Sequence, residues 1–232
     1  MIRVDMHVHT YCSRDSLTQP AQLLAWMNHL AVDTIAVTDH DAIEGALEMA
    51  SLAPGAVIVG EEIRTTRGEI IGLFLNELIP PGLAPGETAD RIHVQGGLVY
   101  IPHPLDRLRG STLARDALLD ILPQVDVLEG YNARVVWPRH NLEAQRLAAV
   151  QGLAIGAGSD AHRPQDVGLA VVEMPRFEDA AGFLVALSEG RIDGRLTGLV
   201  GRLSGPRARL TRGWRDCRAS WSLRKGDECS RR

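Results

Sequence analysis

The 232-residue sequence has few aromatic residues, few cysteines and no long apolar run. Aromatic residues make up 4% of the chain against 45% apolar residues in total, so we expect a mainly aliphatic core. The three cysteines are odd in number and form no C-x-x-C pair, which argues against a disulfide framework. The sequence has neither a run of 18 apolar residues nor a basic segment leading into an apolar one at its start. We therefore predict a cytoplasmic protein that does not bind membranes.

An excess of positive charge is also lacking, because the formal net charge is −4. General affinity for nucleic acid is therefore not predicted. The charge is uneven: residues 202–232 hold ten basic and three acidic side chains, whereas residues 1–201 hold 15 and 26. We expect a folded domain over residues 1–200 and a basic, flexible tail over residues 201–232.

Short apolar runs alternate with helical patterns along most of the chain. Three of the runs, each predicted to be a strand, are Ile2–His7, Ala56–Val59 and Leu98–Ile101. This alternation predicts an α/β fold with a parallel sheet buried on both faces. Seven clear strand–helix units suggest a barrel that is short of the usual eight strands.

The first predicted strand runs into the motif Asp5-Met6-His7-Val8-His9-Thr10. Alternate residues of a strand share one face, so Asp5, His7 and His9 are predicted to point the same way. Two imidazoles with this spacing can bind one metal ion, and a nearby carboxylate can orient them.

Potential metal ligands recur just after the ends of the predicted strands. They are His7, His9, His40, Glu62, His103, Asp160 and His162. In a closed barrel, the carboxyl ends of all strands open onto one face, where these groups would converge. The mixture of imidazoles and carboxylates suits Zn²⁺, Mn²⁺ or Fe²⁺ and is too large for one tetrahedral ion. Two or three divalent ions, bridged by a carboxylate and a hydroxide, would use all of these groups.

Four motifs together resemble those of the PHP family, the polymerase and histidinol phosphatase domains. They are Asp-x-His-x-His-Thr (5–10), Thr-Asp-His-Asp (38–41), Pro-His-Pro (102–104) and Ser-Asp-Ala-His (159–162). Their order and spacing match, and the resemblance covers roughly residues 1–190. It implies a distorted seven-stranded, TIM-like (β/α)7 barrel of the PHP type, with two or three metal ions and phosphoester hydrolysis.

The resemblance also implies nine metal ligands in three groups. The first group, in which Glu62 bridges to another ion, is His7, His9, Glu62 and Asp160. The second is Asp15, His40 and His162, and the third position lies beside His103 and Glu69. Three of these residues are also assigned a catalytic role: His103, Asp160 and His162.

Two ligand positions depart from the family pattern. Asp15 stands where trinuclear members carry His, and Glu69 stands where members often carry His. Glu69 is either a ligand or only the polar start of a strand.

Four arginines follow the predicted strand ends and could bind a substrate phosphate: Arg107, Arg109, Arg134 and Arg163. Each is equally well read as a solvated side chain, because arginine supplies nearly all the positive charge here. By contrast, His29, His93 and His140 fall within predicted helices and are expected to have no role in the site.

The leading hypothesis is a metal-dependent phosphoric ester hydrolase in which a metal-bridging hydroxide attacks phosphorus. Its substrate would be a small phosphomonoester or nucleotide. One alternative is a nuclease or cyclic-nucleotide phosphodiesterase, for which a short oligonucleotide could be a substrate. Another is a non-catalytic, metal-stabilised PHP binding module. No obligate protein partner is indicated.

Overall fold

In the computed structural model of this chain, residues 1–106 and 108–197 are described, and they contain nine strands and six α-helices. The strands are β1 (Ile2–Val8), β2 (Thr34–Val37), β3 (Val57–Thr65), β4 (Gly68–Leu73), β5 (Leu98–Ile101), β6 (Val127–Asn132), β7 (Ala154–Gly158), β8 (Ala170–Met174) and β9 (Arg191–Gly194). The helices are α1 (Pro20–Leu30), α2 (Glu44–Leu52), α3 (Pro85–Val94), α4 (Arg115–Ile121), α5 (Pro138–Gln151) and α6 (Ala180–Ser188).

The sheet curves into a nearly closed barrel. Strands β1 to β7 are neighbours in chain order, and the carboxyl end of β7 meets that of β1. There the amide of Asp160 donates to the carbonyl of His7 at 2.8 Å, and the amide of His9 donates to the carbonyl of Ala161 at 2.9 Å. The amino-terminal half of β1 pairs instead with β8, which is antiparallel to it. The expected α/β barrel is therefore present.

The prediction of seven parallel strands is wrong in two respects. Strand β4 is antiparallel to both β3 and β5, because only residues 66 and 67 separate β3 from β4. So short a connection can only form a hairpin, whereas a parallel connection needs about a dozen residues. The sheet also continues through β8 to β9, and β9 is a largely exposed strand whose sequence has no alternating pattern.

Three clusters of apolar side chains form the core. One fills the inside of the barrel, where Tyr100 and Met6 are fully buried and Phe183 of α6 packs against the same cluster. The other two lie between the sheet and the surrounding helices. The strands are thus covered on both faces, which leaves polar side chains to gather at the carboxyl ends.

No helix in the described ranges has the length and apolar character needed to cross a membrane. The predicted tail, residues 201–232, lies outside the described residues, as do Arg107 and the last three residues of the predicted domain.

Gly68 offers a test of the β3–β4 hairpin. It has φ of 126°, and a Cβ added there would overlap the backbone of Leu113. Gly55 also has positive φ, at 77°, but no atom lies within 4 Å of the position of its Cβ. We expect Gly55→Ala to lower the free energy of unfolding by about 1–2 kcal/mol through backbone strain. Gly68→Ala should cost about 1–3 kcal/mol more through overlap.

Urea denaturation of both variants measures this difference. Equal losses of stability in the two variants would contradict the placement of the hairpin against Leu113.

Candidate metal centre

A shift of register in β1 turns its histidines into the mouth of the barrel. Asp5 lies beside Ile35 of β2 and Val8 lies beside Val37, so β1 uses one residue more than β2 over this stretch. Val8, Ile35 and Val37 share the cluster that packs under α1 and α2. The extra residue forms a bulge, which interrupts the alternation of side chains between the two faces of the strand. Bulges of this kind are common next to active sites.

The predicted common face of Asp5, His7 and His9 is therefore wrong for Asp5. Its carboxylate accepts the amides of Ser159 at 2.9 Å and Gly168 at 2.8 Å. Burial raises the pKa of Asp5 to about 6, against the effect of these hydrogen bonds. Asp5 thus joins β1 to two loops, and other residues orient the histidines.

His7, His9 and His40 surround one carboxylate oxygen. The Nε2 atoms of His7 and His9 are 3.1 Å apart, and each lies 3.4 Å from Oε2 of Glu62. Nδ1 of His40 is 3.0 Å from the same oxygen. This oxygen is buried and has no hydrogen-bond partner among the described residues. Such convergence of imidazole nitrogens on one carboxylate oxygen fits a metal position.

A second group adjoins the first. Oδ1 of Asp160 lies 3.6 Å from Nε2 of His9 and 3.4 Å from Nδ1 of His162. On the other side of the His162 ring, Nε2 lies 3.2 Å from Oδ1 of Asp15. The same Asp15 oxygen is 3.6 Å from Nε2 of His40. These contacts bring Asp15, His40 and His162 next to one another.

The third group places Glu69 in the cluster. Oε1 of Glu62 is 3.1 Å from Nε2 of His103, and Oε2 of Glu69 is 3.8 Å from the same nitrogen. That Glu69 oxygen is buried and accepts no hydrogen bond from the described residues. Burial and repulsion from Glu62 raise the pKa of Glu69 to about 8. Glu69 is thus the second residue of β4 and also faces the ligand candidates, so the structure brings all nine predicted ligands together.

Two of the nine have strained backbones. His103 has φ of 33° and Asp160 has φ of 53°, values uncommon for residues with a Cβ. The amide of His103 donates to Glu129 at 2.6 Å, and that of Asp160 donates to His7. These hydrogen bonds hold conformations that are typical of functional sites.

Glu129 is a site residue that the sequence interpretation missed. It accepts hydrogen bonds from Nδ1 of His7 at 3.1 Å, the hydroxyl of Tyr100 at 3.1 Å, the amide of His103 at 2.6 Å and the side chain of Asn132 at 2.9 Å. The proton on Nδ1 leaves the lone pair of His7 on Nε2, facing Glu62. A signal was present, since Glu129 is charged and directly follows two apolar residues of β6.

His9 is oriented in a similar way. Its Nδ1 lies 3.0 Å from the hydroxyl of Ser13, which donates to Asp39 at 2.6 Å. Asp39 also accepts the amide and hydroxyl of Thr10. His7 of β1 and His9, which follows the end of that strand, therefore each have a buried carboxylate behind them.

Two of the predicted arginines reach the cluster. Nη1 of Arg109 is 2.5 Å from Oδ2 of Asp160, and Nη1 of Arg134 is 3.4 Å from Oδ1. Arg134 also contacts Nδ1 of His162. Arg163 instead forms a two-pronged pair with Asp166, at 2.8 and 2.5 Å. The structure thus places Arg109 and Arg134, but not Arg163, beside the predicted ligands.

His140 does not behave as a solvent-facing helix residue. It is buried in the first turn of α5, and its Nδ1 lies 3.3 Å from Oδ1 of Asp106. The Asp106 carbonyl accepts the amide of Arg109 at 3.0 Å and the hydroxyl of Thr112 at 2.9 Å. The contact joins α5 to the loop that carries Arg109. In contrast, His29 and His93 are exposed.

The fold and this cluster together define a distorted α/β-barrel protein with histidines and carboxylates at the carboxyl ends of its strands. Residues 138–192 match the family model described as PHP-associated. Over 175 residues the chain is 38% identical to the uncharacterised protein MJ0417 of Methanocaldococcus jannaschii, which covers 74% of this chain and 70% of that protein. The chain belongs to the PHP family.

Solved structures share the fold at low sequence identity. A two-domain protein from Bacteroides vulgatus, which contains a predicted PHP-like metal-dependent phosphoesterase, matches with a TM-score of 0.63 and 16% identity. The match covers 90% of this chain and 69% of that one. The lesion-specific endonuclease Q from Pyrococcus furiosus matches with a TM-score of 0.63 and 15% identity, over 82% of this chain and 57% of the other.

The role of Glu129 can be tested with Glu129→Gln. The amide would present an N–H group where four donors converge, so the ring of His7 and the backbone of His103 would lose their fixed positions. We expect affinity for a divalent metal to fall about 10–100-fold, as for other groups behind metal-binding histidines. Isothermal titration with Mn²⁺ or Zn²⁺ measures the change.

The matched control is Glu178→Gln, at an exposed glutamate. Unchanged affinity in Glu129→Gln, with the control also unchanged, would show that Glu129 only supports the fold.

Proposed function

We propose that this protein is a metal-dependent phosphoesterase that hydrolyses a small phosphomonoester or nucleotide. The observation that carries the proposal is a buried histidine–carboxylate cluster beside Arg109 and Arg134. In it, one oxygen of Glu62 and one of Glu69 accept no hydrogen bond from the described residues. Metal ligands and phosphate-binding groups thus occupy one mouth of the barrel. Phosphoester hydrolysis uses both.

The donor set fits divalent ions. His7, His9, Glu62 and Asp160 would hold one ion, and Asp15, His40 and His162 a second. Bound ions would lower the pKa of a water molecule and neutralise charge on a phosphate. We assign catalytic roles to His103, Asp160 and His162, which are buried within this set.

The arginines bind and orient the substrate in this proposal. Their guanidinium groups can donate two parallel hydrogen bonds to phosphate oxygens. Arg109 comes from the loop after β5 and Arg134 from the loop after β6, and both reach Asp160. They therefore approach from neighbouring strands and would hold the phosphate next to the ligands.

Nuclease activity is the second candidate, and the likeness in fold to endonuclease Q favours it. The retained ligand set disfavours a non-catalytic binding module, which would not need every ligand. Hydrolysis of p-nitrophenyl phosphate and bis-p-nitrophenyl phosphate, with and without chelator, separates these functions. We expect chelator-sensitive hydrolysis of the monoester. Preference for the diester would support the nuclease, and no turnover by metal-loaded protein would support the module.

The central pair should be essential to metal binding but not to folding. We expect His7→Ala with His9→Ala to remove one metal ion and nearly all turnover, because both rings face Glu62. Helical circular dichroism should persist, since the apolar clusters hold the barrel.

The control pairs His29→Ala with His93→Ala at two exposed histidines. Full activity and unchanged metal content in the His7/His9 variant would refute the site.

Glu69 should make metal binding at the third position depend on pH. With a pKa of about 8 it is protonated at pH 7 in the metal-free protein, and an ion must displace that proton. The contribution of Glu69 to the affinity for the third ion should therefore rise with pH up to about 8 and then level off. Calorimetry in two buffers of different ionisation enthalpy measures the proton release on metal binding, which should be smaller in Glu69→Gln than in the wild type.

Metal content provides a second check on Glu69. With Glu at 69 and Asp at 15, the site has more carboxylate than an all-histidine version, which favours Mn²⁺ or Fe²⁺ over Zn²⁺. We expect about two ions per chain without added metal, and a gain of activity with Mn²⁺. Glu189→Gln, at an exposed glutamate, is the control. Three tightly held zinc ions in both wild type and Glu69→Gln would refute a ligand role.

A further inference from the structure

The loop between β6 and α5, residues 133–137, is held firmly at both ends. The amide of Asn132 donates to the side chain of Asn141 at 3.1 Å, and the Asn141 side chain donates to the carbonyl of Asn132 at 3.1 Å. The carbonyl of Ala133 accepts the amide of Thr197 at 2.7 Å. At the other end, the carbonyl of Trp137 accepts the amide of His140 at 2.9 Å. The backbone of this loop is therefore well fixed.

This loop presents two large apolar side chains to solvent. Val136 is 40% exposed and Trp137 is 50% exposed, although Ala133 and Val135 of the same loop are buried. A tryptophan side chain has few rotatable bonds and a large flat surface. An exposed tryptophan on a fixed backbone can therefore bind a ligand with little loss of conformational entropy.

Trp137 also lies in the same short loop as Arg134, which borders the proposed phosphate position. Arg134, three residues earlier, contacts both Asp160 and His162. Three residues of extended chain span about 10 Å, which limits the distance between the two Cα atoms. A nucleotide whose phosphate is held by Arg134 is long enough to span this distance between the two Cα atoms.

One neighbour of the indole suits an anionic ligand. The guanidinium carbon of Arg139, in the first turn of α5, lies 5.7 Å from the centroid of the Trp137 ring. An aromatic ring next to a cation is the combination with which proteins bind nucleotides irrespective of base, since every base has a flat face to stack.

We propose that Trp137 is a stacking platform for a planar ring in the substrate, and that it selects nucleoside phosphates over aliphatic phosphates. The proposal rests on the proposed function, because that function places the phosphate beside Arg134. It adds a residue that determines specificity and lies outside the predicted metal ligands.

Steady-state hydrolysis of adenosine monophosphate and glycerol phosphate tests the proposal. We expect Trp137→Ala to raise KM for the nucleotide by about tenfold, the scale of one lost stacking contact. KM for glycerol phosphate should change by less than about twofold, and Trp137→Phe should restore most of the nucleotide affinity. Val150→Ala, at an exposed apolar residue near the other end of α5, is the matched control. Equal changes for both substrates, or no change for either, would overturn the proposal.

Equilibrium dialysis with radiolabelled adenosine monophosphate and inorganic phosphate separates this proposal from the proposed function. If no phosphoester is hydrolysed, the proposed function fails, but stacking still predicts tighter binding of the nucleotide than of phosphate. Trp137→Ala should abolish that difference and Trp137→Phe should keep it. Wild-type protein that binds the two ligands equally would refute the stacking role, whatever its activity.

Discussion

Glu62 is fully buried, and its carboxylate touches His7, His9, His40 and His103. Burial alone would raise the pKa of Glu62, but the neighbouring His40 and His7 hold it well below its usual range. A buried negative charge is costly unless it is paired, and here the partners are imidazoles that can equally face a metal ion. The mouth of the barrel is organised around this need for compensating positive charge.

The barrel meets that need by bringing many strand ends to one face. Parallel strands deliver His7, His40, His103 and Asp160 to the mouth. The antiparallel β3–β4 hairpin delivers Glu62 and Glu69 from two paired strands, at the place where a helical crossover would otherwise intervene. The loops after β5 and β6 then add Arg109 and Arg134, so imidazole, carboxylate and guanidinium groups meet at the same mouth.

Most elements of the fold could be predicted from local patterns. Strand β5 was predicted with its observed bounds, and a proline begins each of α1, α3 and α5. The errors arose where backbone pairing between strands decides. The predicted strand Ala56–Val59 continues to Thr65 because β4 pairs alongside it, and β9 exists because its backbone pairs with β8. Neither the extension of β3 nor the presence of β9 shows in the hydrophobic pattern, which records burial and not hydrogen-bond partners.

The sequence by itself determined which residues could gather, since the four motifs already named five histidines and Asp160, and the family resemblance added Asp15, Glu62 and Glu69. Only the tertiary structure decided how they are oriented. The alternation of side chains along a strand predicted that the carboxylate of Asp5 faces the same way as His7 and could orient its ring. A one-residue register shift turns the Asp5 side chain away, and Glu129 of β6 contacts the ring of His7 instead. The same holds for His140, whose partner Asp106 lies on another loop. The spacing within a motif reflects which side chains share a face of one strand. The carboxylates that contact the other side of a histidine ring come from different strands and loops, and their distance along the sequence does not indicate this contact.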